Sequence, residues 1–346
     1  MANRRVRLVL VGLGNVGRNL MNLLVTKKDV LASKHGLEIV IVGAADSSGG
    51  AISDKGLDIA AMIMIKEEHK GIATYPTAGR PDMVALDLVR RSQADMLIEM
   101  SPVNLQHGQP GLGCIREALG RGWHVVTSNK APLVLAYSEL ATLAARAGKQ
   151  MRFSACVGGG LPSINVGQRD LVACTITRVE GILNSTTHYI LTAMADEGKT
   201  FDQALVEAQH IGIAEADPSL DIDGWDAANK CVIVANSVLG FPSTLKDVAV
   251  TGIRGVTVEQ MQQAKQRGGS LKLLVTAERD GERYRMSVCP TVIPETHPLA
   301  HLHGEDMGIV YYTDIMGEIT ITIAERGPVP TAAGVLRDIV TIASGQ

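Results

Sequence analysis

The sequence predicts an α/β fold: a doubly wound, mainly parallel sheet followed by a second, α+β domain. Three observations predict it. Strand-like and helix-like segments alternate over roughly the first 150 residues. A GxGxxG turn joins the first strand to the first helix. After Arg152 the simple alternation stops.

Residues 5–11 (RVRLVLV) read as a short buried strand, and residues 15–31 as an amphipathic helix with Leu20, Leu23, Leu24 and Leu31 on one side. Residues 37–44 are a second apolar strand, completing a βαβ unit. A helix is expected over 81–91, a strand over 95–100, a helix over 113–121 and a strand over 124–127, with alternation continuing to about residue 149. VGGGLPS then breaks the pattern. Beyond it, strands are expected near 179–183, 271–278 and 317–324, with helices at 190–197, 201–211 and 224–239. A last amphipathic helix spans 331–344. The expected division is a dinucleotide-binding domain over 1–150, a substrate and dimerisation domain over 151–327, and a C-terminal helix from about 328 to 346 that returns to the first domain.

Composition narrows the function. The chain has 346 residues, 46% hydrophobic, with a net charge of −3 and no basic block, which argues against nucleic-acid binding. The longest apolar runs, about ten residues, are too short to span a membrane. MANRRVRLVLVG has a basic start, but Gly12 interrupts its apolar run and a glycine motif follows, so it reads as a strand and not a signal peptide. Cys114, Cys156, Cys174, Cys231 and Cys289 form no CxxC pair and are odd in number, which points to single thiols in a reducing, cytoplasmic compartment.

Gly12-Leu13-Gly14-Asn15-Val16-Gly17 carries the first chemistry. The first glycine permits the tight turn, the second lets backbone amides approach a pyrophosphate, and the third lets helix and strand pack closely. In its strand–turn–helix setting this is a Rossmann-type nucleotide loop. Asp46 ends the second strand, where a carboxylate accepts from both ribose hydroxyls and repels a 2′-phosphate. This favours NAD over NADP, with Lys55 the nearest cation that would accommodate the phosphate. The alternative for Asp46 is a plain turn residue of DSSGG. Lys130 follows the strand 124–127 in TSNK, at the sheet edge where α/β ligands bind. On spacing alone a solvated loop lysine is the simpler reading there.

Residues 212–230, GIAEADPSLDIDGWDAANK, hold five acids and one lysine. Asp226 and Lys230 stand four apart on an expected helix, a spacing that alone implies a surface ion pair of a few tenths of a kcal/mol. Val232, Ile233 and Val234 carry that helix into the core, however, so the pair is expected to face a cleft. Glu215, Asp217, Asp221 and Asp223 on the preceding loop then suggest a cationic ligand, either an amino group or a metal held by oxygen ligands. EF-hand spacing is absent.

With these residues stands a wider set. GLGNVG at Gly12, SPVN at Ser101, HVVTSNKAPL at His124, VGGGLPSI at Val157, GILNSTTHYIL at Gly181, the acidic stretch at Gly212, HPLA at His297 and PTAAGVLRD at Pro330 occur in one order. In this the sequence resembles the homoserine dehydrogenases over nearly the whole chain, in their short, stand-alone form. The resemblance implies interconversion of L-homoserine and L-aspartate 4-semialdehyde with NAD(H) or NADP(H), in threonine, methionine and isoleucine biosynthesis. It implies that Lys230 exchanges a proton at the reacting oxygen and that Lys130 lies near nicotinamide and substrate. It further implies that Asp226 hydrogen-bonds the substrate, that Glu215 holds its amino group with Asp221 as a supporting carboxylate, and that Thr186 lies beside it. Gly12, Gly14, Asn15, Val16, Gly17, Asp46, Ser101 and Lys130 would line the cofactor. A homodimer through a sheet of the second domain is also implied.

The sequence departs from the family in places. Where the family carries a glutamate, Ser154 stands here. That glutamate belongs to a monovalent-cation (Na+ or K+) site with the carbonyls matching Val157, Gly159 and Leu161. The family's NGT reads Asn184-Ser185-Thr186, and a nearby asparagine is His188. A glycine-rich C-terminal loop reads Ala324-Glu325-Arg326-Gly327-Pro328, bulkier and charged. Cys156 has no supporting motif for a nucleophile and reads as a small buried residue. Two alternatives stand beside the main reading: a dehydrogenase of another small amino or hydroxy acid, and a cofactor-binding homologue without turnover. A pure sensor has no need of Lys130, Asp226 and Lys230 together.

Overall fold

The computed structural model describes residues 3–345. The chain divides into two compact units: residues up to Gly160 together with those from Gly327 onward, and Leu161–Arg326.

In the first unit, β1 (Arg4–Val11), β2 (Leu37–Asp46), β3 (Gly49–Ile52), β4 (Gly79–Arg80), β5 (Met96–Glu99), β6 (His124–Thr127) and β7 (Met151–Arg152) form one sheet in the order β4-β3-β2-β1-β5-β6-β7. The strands from β2 to β7 in this order are parallel, and β3 and β4 add an antiparallel edge. That edge was not legible: GGAI and GR are too short and glycine-rich to read as strands. β7 still pairs with β6, so the division falls at residue 160 and not at 150.

Along β1, Leu8 and Leu10 enter one core, and Val9 and Val11 the other. This two-sided burial is why the strand reads as an unbroken apolar run. The first core includes Leu20 and Met21 from the helix Asn15–Thr26 and Val335, Ile339 and Ile342 from the helix Val329–Ala343. The Arg4 guanidinium donates to the Ala343 carbonyl (2.8 Å) near the end of that last helix. The expected helix 15–31 bends at Lys27, and Leu31 reaches the core from a second helix, Lys28–His35. The expected helix 81–91 begins only at Ala85, because Gly79–Arg80 is held extended in β4.

The second unit is a mixed sheet of β8 (Ile176–Ile182), β9 (Val248–Val250), β10 (Gly269–Asp280), β11 (Arg283–Pro294), β12 (Met307–Thr313) and β13 (Glu318–Ile323). Its order is β13-β12-β8-β10-β11-β9. The helix Ser185–Glu197 follows β8 after two residues, with Asn184 as its N-cap, and the helix Trp225–Ser237 carries the acidic stretch inward. Among the described residues no helix is long and apolar enough to cross a membrane.

Candidate active site

β1 has β2 on one side and β5 on the other, so the strand order reverses there and the crevice at the carboxyl ends of the strands opens beside it. The glycine loop sits at this point. Gly12 has φ +91°, and a Cβ on it would lie 2.4 Å from the Met100 carbonyl carbon and oxygen and 2.6 Å from Ser101 N. A Cβ on Gly17 would lie 2.4 Å from the Gly12 carbonyl oxygen. Gly14 differs: nothing lies within 4 Å of its Cβ position. Two glycines thus answer to packing inside the fold and one to open space at a helix N-terminus, as an approaching pyrophosphate requires. The residues present fit a dinucleotide.

Asp46 stands at the end of β2, and its carboxylate is already engaged. Oδ1 accepts from Ser48 N (2.9 Å) and Ser48 Oγ (2.6 Å). Oδ2 accepts from Lys66 Nζ (2.6 Å) and Ile72 N (3.1 Å). Burial alone would raise its pKa, but Lys66, Ser48 and Ile72 hold it below the usual carboxylate range. The cation at Asp46 is therefore Lys66, not Lys55 as expected, because the unforeseen helix Ile59–Glu67 swings Lys66 back over the strand end.

Glu99, at the end of β5, is a site residue that no motif marks. Glu99 is fully buried. It accepts from Ser101 N (2.8 Å), from the Ser101 hydroxyl and from Thr127 Oγ1 (3.1 Å). Asn129 donates to Ser101 Oγ (3.3 Å) and caps the helix Lys130–Ala147 by accepting from Ala131 N (3.0 Å). Burial pushes the Glu99 pKa up against these donors. Ser101 and the turn that places Lys130 at a helix N-terminus thus hang on one buried carboxyl. An acid closing the apolar run MLIE was the available signal. Cys156 is buried, with Sγ donating to the Thr127 carbonyl (3.4 Å).

In the second unit the acidic stretch separates into parts. Lys230 Nζ lies 2.7 Å from Asp226 Oδ2, and the two side chains are only 12% and 13% exposed. Lys230 also donates to the Leu183 carbonyl (2.5 Å). Asn184 accepts from Thr187 N (2.9 Å) to cap its helix and donates to Asp221 Oδ1 (2.7 Å) and Asp226 Oδ2 (2.9 Å). Burial and the nearby Asp226 raise the Asp221 pKa, partly offset by Asn184, Lys230 and Thr186. Thr186 Oγ1 donates to the Ile213 carbonyl (3.1 Å), tying the loop to this cluster.

The other acids of the stretch stand outside this hydrogen-bonded cluster. Asp223 pairs with Arg254, Asp217 accepts from Ser219 N (3.1 Å), and Glu215 is exposed on the loop with its carbonyl accepting from Gln209. Arg326 reaches Asp306 (3.4 Å). Among the described residues no group of three or more His, Cys, Asp or Glu side chains is arranged to hold a metal.

His188, on the same helix as Thr186, is buried. Its Nδ1 donates to the Asp306 carbonyl (2.8 Å), which leaves Nε2 to accept from Lys272 Nζ (3.0 Å). Burial, then Lys272, pushes the imidazole pKa down to about 3, and burial pushes Lys272 down to about 8. An unfolded imidazole gains its proton near pH 6.5 and the folded one only near 3, so stability falls as pH drops through this window. Between pH 8 and 10.5 the unfolded lysine alone keeps its proton, so stability rises with pH there. Each contributes a slope of at most about 1.4 kcal/mol per pH unit. Urea unfolding of His188→Asn is expected to lose the acid-side slope relative to the parent protein, and equal slopes would refute this assignment.

Comparison with known proteins places the chain in a family. Residues 162–340 match the family model described as homoserine dehydrogenase, and residues 2–100 match one described as glutamate/leucine/phenylalanine/valine dehydrogenase. A homoserine dehydrogenase of Methanocaldococcus jannaschii is 40% identical over 97% of this chain and 98% of its own length. An NAD(+)-dependent homoserine dehydrogenase of Pseudomonas canavaninivorans is 32% identical over 97% and 96%. The structure of a hyperthermophilic archaeal homoserine dehydrogenase in complex with NADPH superposes with a TM-score of 0.85 at 28% identity, covering 99% of both chains. With a nucleotide loop at the sheet's switch point, a lysine–carboxylate cluster in the second unit and relatives matched end to end, the chain belongs to the homoserine dehydrogenase family.

Proposed function

We propose that the chain interconverts L-homoserine and L-aspartate 4-semialdehyde with a nicotinamide dinucleotide, and that Lys230 exchanges the proton at the reacting oxygen. The observation carrying this is how Lys230 is held. An ammonium has three N–H donors. Here one goes to Asp226 and one to the Leu183 carbonyl, which aims the third away from both. That third donor stabilises negative charge on the aldehyde oxygen during reduction and delivers the proton; in oxidation the neutral amine takes it back. The bound nicotinamide supplies or accepts the hydride.

Asp226 hydrogen-bonds the substrate while fixing Lys230, Asp221 and Glu215 hold the substrate ammonium, and Thr186 lies beside it. Lys130 serves the nicotinamide and the substrate. The amides around Gly12, Gly14, Asn15, Val16 and Gly17 take the pyrophosphate, with Ser101 alongside. The reaction belongs to threonine, methionine and isoleucine biosynthesis in the cytoplasm. The enzyme is a homodimer through the six-stranded sheet, and Ile315 and Met316 are exposed in the turn that joins β12 to β13.

For the cofactor, NAD is preferred and NADP tolerated. Asp46 favours ribose hydroxyls, but its four hydrogen-bond donors already include Lys66, whose charge softens repulsion of a 2′-phosphate. The test is homoserine oxidation at alkaline pH, followed by absorbance of the reduced cofactor. Turnover is expected with both, with the higher kcat/KM for NAD, and Lys66→Ala should widen that ratio several-fold. No turnover with either cofactor refutes the activity, and preference for NADP refutes the role of Asp46.

A further inference from the structure

The resemblance implies a monovalent cation held between a carboxylate at position 154 and the carbonyls of Val157, Gly159 and Leu161. The residues present do not fit one. Position 154 is a neutral serine, and its N–H and Oγ–H both donate to Asp338 Oδ2 (2.8 Å each). Asp338 is fully buried on the helix Val329–Ala343. The carboxylate beside residue 154 is therefore that of Asp338 on the helix, and the loop supplies none. The neighbouring residue on that helix brings a positive charge with it. Arg337 Nη1 donates to the Gly160 carbonyl (3.0 Å) and Nη2 to Ser154 Oγ (2.9 Å).

One guanidinium thus spans residue 154 and the glycine-rich turn, the two sides a cation would join. The serine hydroxyl serves both neighbours, giving its proton to Asp338 and a lone pair to Arg337. The helix also closes on the turn directly: a Cβ on Gly334 would lie 2.7 Å from the Gly159 carbonyl oxygen. A metal ion here would meet a like charge and find Ser154 and the Gly160 carbonyl already engaged, with no carboxylate from the loop.

We propose that Arg337 is a built-in replacement for the monovalent cation, so that the Ser154–Gly160 turn is held, and the enzyme works, without Na+ or K+. The test needs no turnover. Sodium-23 NMR of the protein with NADH bound should show no saturable binding. Its melting temperature should be the same, within about a degree, in KCl, NaCl and choline chloride at equal ionic strength. Ser154→Glu combined with Arg337→Ala restores the carboxylate and removes the guanidinium, and this variant should gain saturable Na+ binding and melt higher in KCl than in choline chloride. Saturable Na+ binding or K+-specific stabilisation in the parent protein would overturn the proposal. So would a folded double variant that gains neither. Should the double variant not fold, the measurements on the parent protein still decide.

Discussion

Lys230→Ala is expected to lower kcat for homoserine oxidation by roughly 10²–10⁴-fold, the usual share of a positioned acid–base group, and to leave the Kd for NADH unchanged. The physical case rests on burial. A solvated lysine four residues from an aspartate would contribute little, but this pair is nearly enclosed and tied to the Leu183 carbonyl and, through Asp226, to Asn184. Removing the ammonium also leaves Asp226 beside Asp221 with less compensating charge, so a stability loss of a few kcal/mol accompanies the kinetic one. Lys230→Met preserves the packing of the stem and separates the two effects. Stopped-flow fluorescence of NADH binding, with steady-state kinetics on the same samples, makes the decision. If NADH binding fails along with turnover, Lys230 is structural and the proposed proton transfer is wrong.

Gly12→Ala is expected to destabilise the protein by roughly 2–5 kcal/mol and abolish NADH binding, whereas Gly14→Ala is expected to abolish tight binding alone. At Gly12 the new methyl would meet backbone atoms of Met100 and Ser101 at 2.4–2.6 Å with φ at +91°. Neither neighbour is a flexible side-chain end that can yield. At Gly14 no atom lies within 4 Å, and φ is −75°, ordinary for any residue. The added methyl costs the fold less than about 0.5 kcal/mol but occupies space a pyrophosphate would fill. Thermal melting and fluorescence titration with NADH on both variants test the pair. A Gly14→Ala protein that binds NADH normally would remove the loop from the cofactor site.

Much of this was legible because the signals are local. GxGxxG after an apolar strand names a turn, a helix start and an anion site within six residues. The apolar runs of β1 and β2 follow from burial on two faces, which needs no knowledge of what covers them. Asp226 and Lys230 were placed on one helical face by spacing alone. Less legible were the elements carried by weak or mixed patterns. β11 alternates poorly because its residues are buried unevenly, and β3 and β4 are stretches of glycine with few side chains to pattern.

The site repeats that division. The sequence by itself determined which residue types stand at the ends of the strands and on the helix of Asp226 and Lys230, because helical spacing, capping and tight turns depend on neighbours a few positions away. Only the tertiary structure decided their partners. Lys66 lies twenty positions from Asp46, Asn184 forty-two from Asp226, and Arg337 a hundred and eighty-three from Ser154. Such pairs form because packed elements bring distant segments to one place, and a buried charge persists there only with its donors or counter-charge in reach. No local pattern records which distant residue will supply them.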